Sequence, residues 1–492
     1  MRDQLFHLES DGKSTLQTQL RRMLVSAILA GHIPPGTPLP SCRKLARDLD
    51  VARNTVSLAY QELVEEGFLI SRERRGYFVN EDILRGRARP GGGAAKPAPA
   101  AGPDWAGRFR AHPTAQRNIV KPRNWQQFAY PFIYGQYDPG LFPIAAWREC
   151  TRQAQSLDAI RDWAIDRFTD DDPLLIEQIR TRLLPRRGVL AAEDEILVTV
   201  GAQHALYLLA ALLVDDRTTV GIEDPGYADA RNIFALRTDR QVRLEVDGDG
   251  LVIAPTIDQC DYIYVTPSHQ FPTTATMSLE RRRALLERAA AADMVVIEDD
   301  YESEINHVGT PSPALKSLDQ AGRVVFVASL SKTLAPGLRL GYMVGPRDLI
   351  REARALRRLM LRHPPANNQR TVALFLARGH HDSLMRRLSH AYRDRWEAMR
   401  RALQAELPDC RFRPTTGGTA YWIEGPPGLD SAELERAAAI DGILIEPGAV
   451  HFAGLDAPRN CFRLGFSSIP VDRIEPGLKR LGEIIRRQTG GA

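Results

Sequence analysis

Cysteine is thinly spread in this chain: Cys42, Cys150, Cys260, Cys410 and Cys461 are far apart among 492 residues. None forms a Cys-x-x-Cys pair or a Cys/His cluster, which argues against both a disulfide scaffold and a structural zinc site. No run approaches the roughly eighteen uninterrupted apolar residues of a membrane span, and the N-terminus carries no apolar signal core. Those absences predict a cytoplasmic protein with no membrane partner. An excess of charge is also lacking, since the formal net charge is only +4. The balance is uneven along the chain, however. Residues 1–90 hold 14 Lys+Arg against 11 Asp+Glu, and the remaining residues hold 51 against 50. The basic surplus therefore lies in the N-terminal fifth, where it would attract a polyanion.

Residues 85–104 are mostly Gly, Pro, Ala and Arg and cannot bury enough apolar surface to offset ordering. A flexible linker is predicted over 81–120, dividing a small domain (1–80) from a large one (121–492). In the large domain, β-rich runs at 196–200, 219–223, 262–265, 294–297 and 324–327 alternate with helical patterns at 202–213, 227–236 and 279–291. This alternation predicts an α/β fold with a mostly parallel sheet covered by helices, followed by a helical stretch beyond Arg347 and a small C-terminal α+β part. Ligands of such sheets bind at the carboxyl ends of the strands.

The small domain reads as helix, turn, helix and β-wing. Leu16, Leu20, Leu24 and Ile28 have helical spacing, Ser41 caps a second helix, a third starts near Arg53, and Arg72–Val79 returns as a hairpin with Gly76 near its tip. Spacing alone would also allow a three-helix protein-interaction domain. The segments Leu39-Pro40-Ser41-x-Arg43-x-Leu45-Ala46, Arg53-Asn54-Thr55-Val56-x-x-Ala59-Tyr60 and Gly67-Phe68-Leu69 resemble the GntR-type winged helix. The resemblance implies that Arg43, Arg53, Thr55 and Ser57 touch operator DNA and that Gly76 lets the wing approach the backbone. Ala52 stands where that family usually has Ser or Thr.

In the large domain, Lys332 follows the apolar run Val324–Val327 and lies in Ser329-Leu330-Ser331-Lys332, seven residues before Arg339. An amine delivered by a buried strand can form a Schiff base with an aldehyde, and the hydroxyls and guanidinium can hold a phosphate. Together they describe a site for pyridoxal 5'-phosphate (PLP). Gly201-Ala202-Gln203 opens a helix directly after a strand and offers free N–H groups to the same phosphate, although a small-residue helix start is often just tight packing. Asp299 can pair with a pyridine nitrogen and Tyr301 with the ring's 3'-oxygen, while an acidic pair in this position could instead hold Mg²⁺. His269 or Gln270 offers a polar group toward that same oxygen, against the simpler reading of a satisfied strand-end histidine. Arg463, in the apolar strand Cys461–Phe466, needs an anion, either a ligand's carboxylate or sulfonate or a structural carboxylate.

Together these patches resemble the fold-type I aminotransferases over about residues 125–485. The resemblance implies Lys332 as the Schiff-base lysine, Asp299 at the ring nitrogen, Ser329 and Arg339 at the phosphate, Tyr227 near the ring and Arg463 at the substrate carboxylate. A GntR-type head on such a body is the organisation of MocR/GabR-type transcriptional regulators, which use PLP and a small amine or amino acid as signals. Asp138–Pro143 and Thr273-Thr274 are similar to taurine-responsive members. Two positions depart from the pattern: Thr274 replaces a usual glycine, and Phe168–Leu175 lacks the usual Tyr-Gly-Asp-Pro-x-Gly. The expectation is a homodimeric, PLP-binding regulator that senses an amino acid, amine or aminosulfonate. A working aminotransferase with a DNA-binding head, or a PLP-sensing repressor without an amine effector, are the alternatives.

Overall fold

The computed structural model describes residues 14–84, 102–413, 415–454 and 456–490. The chain divides into two compact units, Met1–Arg108 and Phe109–Ala492. Among the described residues no helix is long and apolar enough to cross a membrane.

The first unit packs α1 (Leu16–Leu29), α2 (Cys42–Asp48) and α3 (Arg53–Glu65) around Leu20, Leu24, Ile28, Val56, Tyr60 and Leu63. Tyr60 is buried but keeps its hydroxyl satisfied by donating to the Pro40 carbonyl at 3.0 Å. The wing is an antiparallel pair of β1 (Leu69–Arg72) and β2 (Gly76–Val79). It begins three residues earlier than the hairpin predicted from Arg72, because Leu69 is anchored in the core. The turn itself is Glu73-Arg74-Arg75, with Gly76 opening the return strand at φ +94°.

Two helix starts show what a cap contributes. Ser41 caps α2 by accepting from the Lys44 N–H at 3.3 Å, whereas Ala52 at the head of α3 makes no side-chain cap bond. Ala52→Ser is therefore expected to stabilise the start of α3 by about 1 kcal/mol. Amide exchange in its first turn should slow by roughly fivefold, and unchanged exchange there would show that the cap is already satisfied by other means.

The stretch predicted as linker is not uniform. Residues 85–101 lie outside the described residues, and Glu81–Leu84 forms a 3₁₀ turn. Further on, Gln116–Asn118 is tied to the body. Arg117 donates to the carbonyls of Phe452, Ala453 and Gly454 at 2.8–3.0 Å, and Asn232 donates to the Arg117 carbonyl at 2.9 Å. The sequence between the Pro/Ala-rich run and Tyr130 has no periodicity, so these long-range bonds had no local signature.

The second unit is built on an eight-stranded sheet, counted among the described residues. In chain order its strands are β3 (Ile196–Thr199), β4 (Val220–Asp224), β5 (Gln241–Asp247), β6 (Gly250–Leu251), β7 (Tyr262–Val265), β8 (Val295–Asp300), β9 (Val324–Ser329) and β10 (Gly341–Val344). Their spatial order is β3-β10-β9-β8-β7-β4-β5-β6. The pairings β9/β8, β8/β7, β7/β4 and β4/β5 are parallel, while β10 runs antiparallel to both its neighbours. The central strands are buried along nearly their whole length, as expected of a sheet covered on both faces. A four-stranded sheet, which includes Ala420–Glu424 and Cys461–Gly465, forms the small C-terminal part with the helix Val471–Thr489.

Thr274, the departure from a usual glycine, sits at φ +63°, in the left-handed region where a β-branched residue is strained. Its N–H donates to the Gln270 carbonyl at 2.6 Å, which helps hold the loop closed. The other departure, Phe168–Leu175, is anchored by Asp171. Its carboxylate is buried and receives Arg354 at 2.8 Å and Arg357 at 2.6 Å.

Candidate functional site

At the carboxyl ends of β3, β8 and β9 lies a cavity of about 220 Å³. The sequence explains why chemistry collects there. Each strand is an apolar run whose polar residues appear only where it leaves the core: Glu298-Asp299-Asp300 on β8, and Ser329 through Lys332 on and after β9. These two strands run further than predicted, so Asp299 is the penultimate residue of β8 and Ser329 the last of β9, rather than members of the loops after them.

Lys332 reaches the cavity with its amine 4.5 Å from the centroid of the Tyr134 ring. Burial and the neighbouring Lys121 cation lower its pKa to about 8, against the opposing pull of Glu302 and Asp299. Opposite, Asp299 accepts from the Tyr264 hydroxyl at 2.9 Å through one oxygen, while the other, Oδ1, is buried without a partner. Burial raises the Asp299 carboxyl to about 7 even though the Tyr264 bond favours its charged form.

Hydrogen-bond donors collect on one wall of the cavity. The helix α4 (Ala202–Leu213) starts at Gly201, and Ala202, Gln203, Ser329, Ser331 and Arg339 line the wall beside it. Gly201 has φ +77°, a conformation that calls for glycine, and a Cβ there would stand 2.9 Å from the mobile Arg339 guanidinium. Arg339 is itself in the left-handed region, at φ +49°, and donates to the Val200 carbonyl at 3.2 Å.

Aromatic rings form the walls. Tyr227 meets Phe271 edge-on at 5.0 Å and gives its hydroxyl to Asp229 at 3.0 Å. Tyr301 faces the cavity but donates to the His269 carbonyl at 2.7 Å. The Arg463 guanidinium lies 4.0 Å from the centroid of Tyr134 and 4.3 Å from that of Phe271. Its Nε donates to Glu446 at 2.9 Å, so a structural carboxylate is present, yet its Nη2 is buried with no partner.

Two predicted residues stand apart from this cavity. Neither His269 nor Gln270 lines the cavity. The His269 ring points instead toward Gly417 and Gly418, where burial lowers its pKa to about 4. Gln270 is a loop brace: its amide donates to the Pro225 and Phe271 carbonyls at 2.8 Å and its oxygen accepts from Thr273. Phe271 is the residue of this loop that faces inward. Lys332, Asp299, Tyr301, Ser329, Arg339, Ala202, Gln203, Tyr227 and Arg463 do come together around one space. On the head, Arg43 and Arg53 are exposed at the starts of α2 and α3, Thr55 and Ser57 are partly exposed on α3, and Gly76 is exposed on the wing.

Residues 16–79 match the family described as bacterial regulatory proteins, gntR family, and residues 136–481 match aminotransferase class I and II. Over its full length the chain is similar to the HTH-type transcriptional regulator TauR of Rhodobacter capsulatus, with 41% identity covering 98% of this chain and 99% of that protein. It is also 29% identical to the probable rhizopine catabolism regulatory protein MocR of Rhizobium meliloti, across 96% of this chain and 94% of the other. The chain belongs to the MocR-type transcriptional regulators. Its winged helix makes the regulator a DNA-binding protein.

The body of the regulator has the aminotransferase fold. It is similar to Pyrococcus horikoshii kynurenine aminotransferase (TM-score 0.70, 25% identity, 78% of this chain and 98% of that one). It is likewise similar to the α-aminoadipate aminotransferase LysN of Thermus thermophilus, solved with N-(5'-phosphopyridoxyl)-L-leucine (TM-score 0.68, 26% identity, 79% and 97%). These neighbours imply PLP for the regulator's body.

Sequence reasoning missed four residues of the regulator's cavity that matter to its electrostatics. Tyr134 has three cations around its ring, Tyr264 holds Asp299, Lys121 enters from just beyond the predicted linker, and Phe271 closes one wall. Tyr264 was the one with a signal, because a tyrosine next to the last residue of a buried strand points toward the strand-end site or the core.

Proposed function

We propose that this regulator holds PLP on Lys332 and reads a small zwitterion that carries a primary amine and a carboxylate or sulfonate. The observation that carries the reading is the shared ring: Lys332 and Arg463 both lie over Tyr134, so an amine-reactive centre and a buried guanidinium with a free donor face one cavity. The cavity fits the cofactor. The unpartnered Asp299 Oδ1 needs a donor, which a pyridinium N–H supplies, and the cradle of α4, Ser329, Ser331 and Arg339 suits a phosphate. When bound, PLP supplies an aldehyde carbon that a lysine holds as a Schiff base and that an amine ligand can take over.

The chain's own residues then have separate tasks. Asp299, fixed by Tyr264, keeps the ring nitrogen protonated, and Tyr227 with Phe271 confines the ring's position. Arg463 would orient a ligand by its anion, and the Lys332 amine, lining the same cavity, would be within reach as a base. Arg43, Arg53, Thr55, Ser57 and the Gly76 wing read an operator, with paired heads supplied by a homodimer formed through the body. Cytoplasmic operation follows from that role.

The test is a screen of amino acids, ω-amino acids, aminosulfonates and plain monoamines against PLP-loaded protein. Absorbance change, operator affinity and keto-acid release are followed in parallel. The reading expects a zwitterion to change both absorbance and operator affinity. A spectral response with steady keto-acid release and no change in operator binding would make the body a working aminotransferase instead.

A further inference from the structure

Lys121 has so far figured only as a neighbouring charge that lowers the Lys332 pKa. It lies in the segment that precedes the body's first strand, and its amine enters the same cavity as Lys332 and Arg463. There it sits 5.3 Å from the Tyr134 centroid, donates to the Tyr134 carbonyl, and stands 3.6 Å from Glu446 Oε1. Gly135, at φ +70°, marks how closely the two lysines approach: a Cβ there would lie 2.9 Å from the Lys332 amine and 3.3 Å from that of Lys121. Three cations thus surround one tyrosine ring.

The carboxylates nearby do not absorb this charge evenly. Glu446 gives one oxygen to Arg463 Nε, while its other oxygen has no hydrogen-bond partner. Glu302, also buried, is engaged by the Thr419 hydroxyl at 2.6 Å. Asp299 is engaged by the Tyr264 hydroxyl at 2.9 Å. With its Nε taken, Arg463 cannot offer the Nε–Nη2 edge that grips a planar anion side-on, and only its Nη end is left for a ligand. An ammonium has three donors, and Lys121 uses one on the Tyr134 carbonyl. A ligand anion at the free Nη2 of Arg463 would find its second cation in Lys121.

We propose that Lys121 is a second anion-binding residue of the effector site, clamping a ligand's sulfonate or carboxylate jointly with Arg463. This rests on the reading that the cavity takes a zwitterion. It makes the residue that selects the ligand part of the Gln116–Lys121 segment, which Arg117 and Asn232 pin to the body.

Calorimetric titration of PLP-loaded protein with ethanesulfonate, propionate and ethylamine separates anion binding from amine chemistry. Lys121→Gln should weaken one or both anions by about tenfold or more while leaving ethylamine within roughly twofold, and Lys121→Arg should retain the anions within roughly threefold. Near-UV circular dichroism of the two variants checks that the body is intact. Parent-like anion affinity in Lys121→Gln, or a parent that binds neither anion, would overturn the proposal and leave Lys121 as a counter-ion of Glu446. Lys121-dependent anion binding in a protein whose absorbance no zwitterion changes would sustain the clamp and remove the effector reading above.

Discussion

Lys332→Ala protein, purified in the presence of PLP, is expected to lack the absorption band near the visible edge and to carry no cofactor fixed by borohydride. The parent should show both. The effect is all-or-none because Lys332 is the only lysine besides Lys121 among the described residues lining the cavity, and the apolar strand β9 delivers it there. A pH arm adds a sign. A group with an ordinary lysine pKa is mostly protonated at neutral pH, but burial and Lys121 bring Lys332 to about 8. Cofactor uptake by stripped protein needs the uncharged amine, so its rate should climb with pH and level off above about 8. A reducible band that persists in Lys332→Ala would move the attachment point elsewhere, with Lys121 the first residue to examine.

Much of this body could be read from local pattern. The helix predicted over 202–213 and the strand over 262–265 match α4 and β7 residue for residue, since each is an apolar run closed by a glycine, a proline or a charge. The same property placed Lys332, Asp299 and Arg463: polar groups at the ends of, or within, apolar strands are costly unless they serve a site or a partner. What pattern could not supply was direction. His269 and Gln270 share a loop with Phe271, and nothing in Ser268-His269-Gln270-Phe271-Pro272 says which side chain turns inward. The fold turns the aromatic residue in, where it meets Tyr134, Tyr227, Tyr301 and Arg463. Glu446 and Lys121 were invisible for a different reason. Each reaches Arg463 or its surroundings only through tertiary pairing, Glu446 across a strand register with Arg463 and Lys121 through a segment without periodicity.

Arg463→Ala should weaken the spectral response to the true effector by tenfold or more, because losing one buried charge-assisted contact costs roughly 2–5 kcal/mol. The unliganded spectrum should hardly move, since the cofactor would be held by Asp299, Ser329 and Arg339, while the Arg463 side chain bonds to Glu446. The Glu446 pairing adds a stability penalty to that variant, as removing one member of a buried pair strands the other. Lys121 at 3.6 Å offers Glu446 partial compensation. Glu446→Gln resolves the two contributions. It removes the carboxylate that competes with a ligand anion for the guanidinium, so it should preserve or strengthen the response to a zwitterion even if the protein melts earlier. A purely structural Arg463 predicts the opposite pattern, in which Arg463→Ala and Glu446→Gln lower the melting temperature by similar amounts and every zwitterion acts as on the parent.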